Sequence, residues 1–400
     1  MMETILSELR VLDFTRVLSG PYATRILADF GAEVIKVQSK KIESTEPIFR
    51  GYFDSWNRNK RSILLDMSHP EAREIALRLV TICDVVIENF SPRVMLNWGM
   101  DFQKLKEIKP DIIMLSMSGM GQTGPWKNHV AFGPTVQSLG GLTYLTSFEE
   151  DSPLGSGYAF SDHISGLYGV YAILAALENR DRTGQGQYID LSQYEVVASQ
   201  IGPALLDILN NNHDPRPSGN QPDYVMAAPH GCYRCFGEDQ WCVIGVFNEV
   251  EWQALVHVFG NPEWANDSKF STLTRRKAHF IELDEELNKW TIKHTAQKVV
   301  ELLQNAGVPA GVVQNAEELA NDPHLLERKY FVQLQHPSFG KTTLDRSPIR
   351  FIRDSSTVPY PEIDLKSSPF LGEGNQYVYR DLLGLTEQEY TSYIQKGIIA

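Results

Sequence analysis

Ser161, Asp162 and His163 stand side by side, the three residue types of a hydrolase triad. Adjacent side chains cannot converge on one substrate atom, and the sequence has no G-x-S-x-G elbow, so a serine hydrolase is set aside. Asp162 alone offers more. It lies just ahead of a helical pattern, where an Asp ordinarily caps the helix N-terminus. A carboxylate there also meets the positive end of the helix and is kept ionised, as a nucleophile requires. The first turns that follow carry Gly166 and Gly169. Each costs roughly 1 kcal/mol of helix stability relative to Ala, which points to something large approaching the backbone closely. Capping and nucleophilic chemistry both stay open for Asp162.

Two other constellations carry less. Gly119, Gly121 and Gly124 spell G-x-G-x-x-G after a strand-like run. Pro125, Trp126 and Lys127 follow, no amphipathic helix starts there, and no strand ending in an acidic residue lies about twenty residues on. A plain turn is the better reading than a dinucleotide site. Cys232 and Cys235 form a C-x-x-C with His230 and Cys242 nearby, four donors of the kinds zinc takes. There is no second pair, and the segment reads as strand, so these are packing cysteines and no metal is expected.

The elements that must position Asp162 alternate. Arg10 to Phe14, Glu33 to Val37, Ser62 to Leu65, Asp84 to Ile87 and Asp111 to Ser116 are short apolar runs. Helical segments at Tyr22 to Phe30, closed by Gly31, at Pro70 to Thr81 and around Phe102 to Lys106 separate them. This rhythm predicts parallel βαβ units in a doubly wound, Rossmann-like domain. Ile164, Leu167, Val170, Leu174 and Leu177 predict a long helix from His163 to about Asn179. A strand at Tyr188 to Leu191 and a helix from Tyr194 to Leu209 come next. Residues 211–225 read as a linker between a first domain at 1–210 and a smaller α+β domain at 226–330. That smaller domain opens with a hairpin of Tyr233 to Phe236 and Trp241 to Val246, continues through helices around 249–259, 280–294 and 296–306, and includes a strand at Val308 to Val313. Residues 331–400 hold prolines, extended runs and a helix at Glu387 to Lys396.

Four hundred residues with 42% hydrophobic and 22% charged side chains describe an ordinary globular protein able to bury a core without staples. A net charge of −13 disfavours nucleic acid and anionic membranes as partners. No apolar run is long enough to span a bilayer, no signal peptide is visible, and four scattered cysteines suit a reducing compartment. A cytoplasmic location is expected.

The string from Gly157 through Asp162 and Gly166 to Leu177, with Arg180 and Thr183-Gly-Gln-Gly-Gln187, resembles the class III CoA-transferases, the family of formyl-CoA transferase and carnitine CoA-transferase. Val11-Leu-Asp-Phe-Thr15 with Gly20-Pro21, Phe30 to Lys36, Asn59 to Asp66, Glu88-Asn-Phe90 and Leu371-Gly-Glu-Gly374 agree with it in the same order. The resemblance implies a large Rossmann-like domain built from both chain ends, with 331–400 returning to it, a smaller inserted domain, and two subunits interlocked like links of a chain. It places the family's catalytic aspartate on Asp162. It implies transfer of CoA from an acyl-CoA to a carboxylic acid through an aspartyl anhydride and an aspartyl-CoA thioester. CoA thioesters are then substrates, and no permanently bound cofactor is expected. The partner is a second copy or a related subunit of a heteromeric transferase.

The resemblance also implies a CoA site. Arg16, Val17, Leu18 and Ser19 match the loop that contacts adenine and pantetheine, and Asn89 matches a residue at the CoA site. Lys40 and Arg61 are phosphate candidates. Formyl-CoA transferase has an arginine near Asn97 and a lysine near Val130 that this chain lacks, leaving Arg93 and Lys127 as substitutes. Ser218-Gly219-Asn-Gln221-Pro222 is the counterpart of the family's glycine-rich covering loop. Phe132, Tyr158 and Phe160, bordered by Tyr224 and Met226, form an aromatic pocket or simply core. As a pocket it would take an acid larger than formate or oxalate, an aromatic or branched dicarboxylate with succinyl-CoA as donor. The related racemases need a His-Asp pair before Gly140-Gly141, where this chain has Phe132 and Gly133. Phenylalanine moves no proton, so racemisation is not expected.

Overall fold

The structure, a computed structural model, describes residues 4–40, 47–221, 225–336, 340–352 and 364–399, without the side chains of 47–50. Tyr224 and Pro222 lie outside the described residues. Two compact units are present. The first comprises Met1–Thr143, Gly155–Asp214 and Lys329–Ala400, and the second Tyr144–Leu154 and Pro215–Arg328.

Among the described residues of the first unit, six strands form one sheet. They are β1 (Arg10–Asp13), β2 (Glu33–Gln38), β3 (Arg61–Leu64), β4 (Val85–Glu88), β5 (Ile113–Ser116) and β6 (Tyr188–Asp190). Their order is β3-β2-β1-β4-β5-β6 and every pairing is parallel. A parallel sheet covered on both faces needs strands apolar on both sides, hence runs such as Val85-Val86-Ile87. The helices are α1 (Ser19–Asp29), α2 (Pro47–Asn57), α3 (Pro70–Val80), α4 (Arg93–Asn97), α5 (Phe102–Ile108), α6 (Gly133–Leu139), α7 (Leu142–Leu145), α8 (Phe160–Thr183) and α9 (Gln193–Gln200). One face of the sheet packs on α3, α5 and the C-terminal residues Val378, Tyr379, Ile398 and Ile399. The other packs on α1, α8 and α9. No helix among the described residues is long and apolar enough to cross a membrane.

Three expectations change. The helix expected over Tyr194 to Leu209 stops at Gln200 and resumes as α10 (Gly202–Leu206), because Pro203 has no amide to continue the ladder. The extended stretch after residue 330 is a β-hairpin, β10 (Phe331–His336) with β11 (Gly340–Asp345), in the first unit. Buried Arg58 and Arg25 anchor it, holding Asp29 of α1 on one side and Asp345 of β11 on the other. The third change concerns Cys232, which is exposed rather than packed.

The second unit has an antiparallel sheet of β7 (His230–Arg234), β8 (Trp241–Gly245) and β9 (Ala310–Val312). Helices α11 (Glu249–Val258), α12 (Leu273–Ala278), α13 (Phe280–Thr291), α14 (Ala296–Asn305), α15 (Ala316–Ala320) and α16 (Pro323–Glu327) accompany it. Its core gathers Trp252, Leu255, Phe270, Leu287 and Val299 with Cys235 and Cys242. Among the described residues no group of three or more His, Cys, Asp or Glu could hold a metal ion.

Charge is buried at one point of the large sheet. Asp13, at the C-terminal end of β1, is fully buried. Its Oδ1 accepts from the Thr15 amide at 2.8 Å and the Thr15 hydroxyl at 2.5 Å, and its Oδ2 from Thr24 at 2.7 Å and Lys60 Nζ at 3.2 Å. Lys36 Nζ stands 3.6 Å from Oδ1 and donates to the Thr15 carbonyl at 2.7 Å. Burial alone would raise this carboxyl's pKa, but Lys36, Lys60 and the two hydroxyls outweigh it and hold the group below its usual range. Removing one partner from such a cluster strands the others without compensation. Asp13→Ala is therefore expected to lose about 3–5 kcal/mol of stability in urea denaturation. Lys104→Ala, which breaks an exposed pair with Glu107 on α5, should change stability by less than about 0.5 kcal/mol.

Candidate active site

In a doubly wound sheet, ligands bind beyond the carboxyl ends of the strands where the order reverses. Here the reversal lies between β1 and β4, and the loops leaving those two strands meet. Asn89, just after β4, accepts from the Arg16 amide at 2.8 Å and donates to the Arg16 carbonyl at 2.8 Å. Its neighbour Phe90 lies under the Arg16 guanidinium, 5.4 Å from ring centroid to Cζ. Next in this clasped loop comes Val17, at φ 65°, a left-handed conformation that a β-branched residue adopts only under constraint. Its side chain is 67% exposed, whereas Leu18 and Ser19 are buried. The corner after β4 is braced by Glu88, whose carboxylate accepts from the Phe90 amide at 2.7 Å. Burial, with a smaller push from Asp190, raises the Glu88 pKa to about 7 against the pull of the Ser116 and Phe90 hydrogen bonds.

Helix α8 brings Asp162 to this loop. The helix begins at Phe160 with Ala159 as its cap, so Asp162 sits in the first turn and is not the capping residue. Gly166 explains the approach. A Cβ there would lie 2.8 Å from Tyr22 Cδ1 and 2.9 Å from the Ser19 carbonyl, so only glycine lets α8 cross the first turn of α1 this closely. At Gly169 a Cβ would press on Met117 and Leu115, 3.1–3.2 Å away. The bulk that these glycines accommodate is thus the protein's own α1 and β5. Gly133, opening α6, faces the carboxylate directly, and a Cβ there would overlap Asp162 Oδ2. Ser161, fully buried, donates to the Gly133 carbonyl at 3.1 Å and holds the two segments together.

The helix end is not the only influence on the Asp162 carboxyl. Burial pushes its pKa up to about 6, and the Ser19 amide and hydroxyl offset only part of that rise. His163 is neutral, its pKa lowered by burial. Its Nδ1 faces the Ala159 carbonyl at 2.8 Å, which makes it the donor and leaves Nε2 to accept from the Tyr158 hydroxyl at 3.0 Å. Tyr158 stacks on the ring at 4.7 Å, and Tyr22 and Trp56 meet it edge-on at 4.9 and 5.1 Å. His163 is a packed aromatic, not a base.

The other expected residues divide. Lys40 after β2, Arg93 on α4 and Lys127 after β5 are exposed on segments that follow the carboxyl ends of strands. Arg61 is not brought to this edge. It opens β3 level with Leu12 of β1 and Ile35 of β2, and its side chain turns back to Glu33 at the start of β2, 3.0 Å away, and over the Tyr377 ring at 4.3 Å. Phe132, Tyr158 and Phe160 are all exposed rather than core, Phe132 as the residue that caps α6. Gly219 and Gln221 belong to the second unit. There Gly219 has φ 55° with Phe148 against its backbone, and Gln221 donates to the His230 carbonyl at 2.8 Å. Met226, in that unit, is exposed. Gly121 and Gly124 adopt positive φ in turns that lead into no helix, as a plain turn requires. Gln193, at the start of α9, was not foreseen. It is 7% exposed and reaches both Ser19 Oγ and the Met117 carbonyl, at 3.2 and 2.9 Å. A glutamine after a short strand carries no motif, and only the fold reveals it.

Comparison with known proteins agrees with this geometry. Residues 6–366 match CoA-transferase family III. Among curated relatives, the succinyl-CoA–D-citramalate CoA-transferase of Chloroflexus aurantiacus is 32% identical over 98% of each chain. A formyl-CoA:oxalate CoA-transferase of Rhodopseudomonas palustris is 31% identical, covering 100% of this chain and 98% of its own. The crystal structure of a CAIB/BAIF family protein from Brucella suis superposes with a TM-score of 0.84 at 31% identity, over 95% of this chain and all of that one. The parallel sheet, the switch-point loop and the full-length likeness converge: this chain belongs to CoA-transferase family III.

Proposed function

We propose that Asp162 is the covalent nucleophile of CoA transfer. The observation that carries this is a half-buried carboxylate in the first turn of α8, faced by Gly133 at the start of α6, with a pKa raised to about 6 by burial. In this reading Asp162 attacks the thioester carbonyl of the donor, the C–S bond breaks, and CoA leaves as its thiolate. The anhydride so formed is attacked at the Asp162 carbonyl by the thiolate, which releases the first acid and leaves an aspartyl-CoA thioester. The acceptor carboxylate then repeats the two steps in reverse. Anhydride and thioester are close enough in energy to pass CoA on, whereas a serine ester would trap it. A pKa near 6 suits both demands on the group. It is mostly ionised at neutral pH, yet basic enough to attack.

The Arg16–Ser19 loop and Asn89 would hold the adenine and pantetheine, and Lys40, Arg93 and Lys127 the phosphates. Arg61 has no part in this proposal. The donor is succinyl-CoA, in keeping with the name of the Chloroflexus relative. The acceptor is an aromatic or branched dicarboxylate facing Phe132, Tyr158 and Phe160. The first unit acts as the large domain drawn from both chain ends and the second as its insertion. The enzyme works in the cytoplasm as an interlocked dimer. Leu167, Tyr168, Tyr171 and Leu174 of α8 are exposed at helical spacing, an apolar stripe that a second subunit would cover.

Incubation with succinyl-CoA and quenching with borohydride or hydroxylamine should leave a modification on Asp162, read by intact and peptide mass spectrometry. Asp162→Ala should lack it and lose transfer by at least about a thousandfold. Unchanged activity in that variant would overturn the reading. Because the ionised form attacks, kcat/KM should fall as pH drops through about 6. Native mass of the purified chain should be twice the monomer. A chain that is inactive until a second, different subunit is added would favour the heteromeric transferase instead.

A further inference from the structure

Gly133 is buried at the first position of α6, and its backbone is not left-handed. An alanine there would meet no conformational strain, and the helix would gain by it. Space alone explains the glycine. A Cβ at 133 would overlap Asp162 Oδ2, whereas Ala159 Cβ and Ser161 Oγ stand off at 3.4 Å, an ordinary contact. The carboxylate of Asp162 thus fills the place where a side chain of residue 133 would stand. Nor can α6 step aside. The Ser161 hydroxyl donates to the Gly133 carbonyl at 3.1 Å. One turn on, Gln137 is 4% exposed, accepts from the Ser161 amide at 3.5 Å and donates to Ser156 Oγ at 3.4 Å. The segment that leads into α8 is therefore fastened to α6 at both Ser156 and Ser161. A methyl group added at 133 leaves the Asp162 carboxylate, on its two short torsions, as the group that must yield.

We propose that Gly133 is a positioning residue of CoA transfer: its bare Cα is the wall against which the Asp162 carboxylate is set for attack, and Ser161 and Gln137 keep that wall in place. This rests on the reading of Asp162 as the nucleophile. The covalent steps show why the setting matters. An Asp162 oxygen bonds to the acyl carbon of the donor as the C–S bond breaks and CoA leaves as its thiolate. The thiolate then bonds to the Asp162 carboxyl carbon as the C–O bond of the anhydride breaks, and the first acid leaves as a carboxylate with no net uptake of a proton. One short side chain must present first an oxygen and then its own carbon to the same cofactor arm, so an error in its setting enters both steps.

The test compares wild type, Gly133→Ala, Asp162→Ala and the double variant Gly133→Ala/Asp162→Ala. Adduct formation on Asp162 is timed by quenched mass spectrometry with succinyl-CoA and formyl-CoA as probes, beside steady-state kcat and KM. The midpoint of urea denaturation is measured for all four proteins, a readout that needs no substrate. Displacement of the carboxylate should slow adduct formation in Gly133→Ala by about a hundredfold. Its KM should stay within about twofold, since the loops that would hold CoA are untouched. Whatever Gly133→Ala costs in urea midpoint should vanish in the Asp162→Ala background, where the added methyl group has room. A Gly133→Ala enzyme with the wild-type adduct rate, or a midpoint loss that persists without the Asp162 carboxylate, overturns this proposal and leaves the nucleophile reading standing. Absence of any Asp162 adduct in the wild type, with Asp162→Ala still active, overturns both.

Discussion

The buried carboxylate of Asp13 is the constraint on which the site depends. One oxygen gathers both polar groups of Thr15, and the other gathers Thr24 and Lys60. Lys60 in turn donates to the Pro21 carbonyl and to Asn57 Oδ1, while Lys36 reaches the Thr15 carbonyl. The end of β1, the middle of β2, the residue before β3, the first turns of α1 and the end of α2 are thereby referred to one point. The loop that begins at Thr15 has little freedom left before it reaches Ser19. Packing alone would set these elements to within the slack of their side chains, whereas hydrogen bonds to a buried charge fix direction as well as distance.

Much of the large unit could be read from residue order alone. The β/α alternation, the doubly wound sheet and the long helix after Asp162 are repeated local patterns, and each local pattern agrees with the global fold. What escaped was set by contacts distant in sequence. The β10–β11 hairpin carries too few apolar residues to announce itself, and it is tied down by Arg25 and Arg58, about three hundred residues earlier. Arg61 looked like a phosphate ligand because its charge is legible and its position along β3 is not. Gly166 and Gly169 were correctly flagged as sites of close approach. Their neighbours proved to be Tyr22 and Met117, which no local rule could name. The burial that raises the Asp162 pKa was not legible, because the helix end is visible in a sequence and burial is not.

The charge distribution resolves an apparent conflict between a net charge of −13 and a polyanionic substrate. Many acidic residues are spent in pairs. Asp13, Asp29 and Glu33 are each held by two or more cations. Arg16, Lys40, Arg93 and Lys127 are exposed on segments that follow the carboxyl ends of strands, the end to which α8 delivers Asp162. Local field, not net charge, governs what such a cleft attracts.

Val17 closes the account of the loop. Its backbone is held in a left-handed conformation that costs of order 1–3 kcal/mol, and its side chain stands in solvent where it stabilises nothing. A molecule laid across the loop would cover that side chain and return roughly 1.5 kcal/mol or more of transfer free energy. The free protein therefore carries, at residue 17, exposed apolar surface that a covering molecule would take out of water, on a backbone whose strain is already met by the fold. A loop so fixed would meet such a molecule without rearranging its backbone, the cost that preorganisation removes.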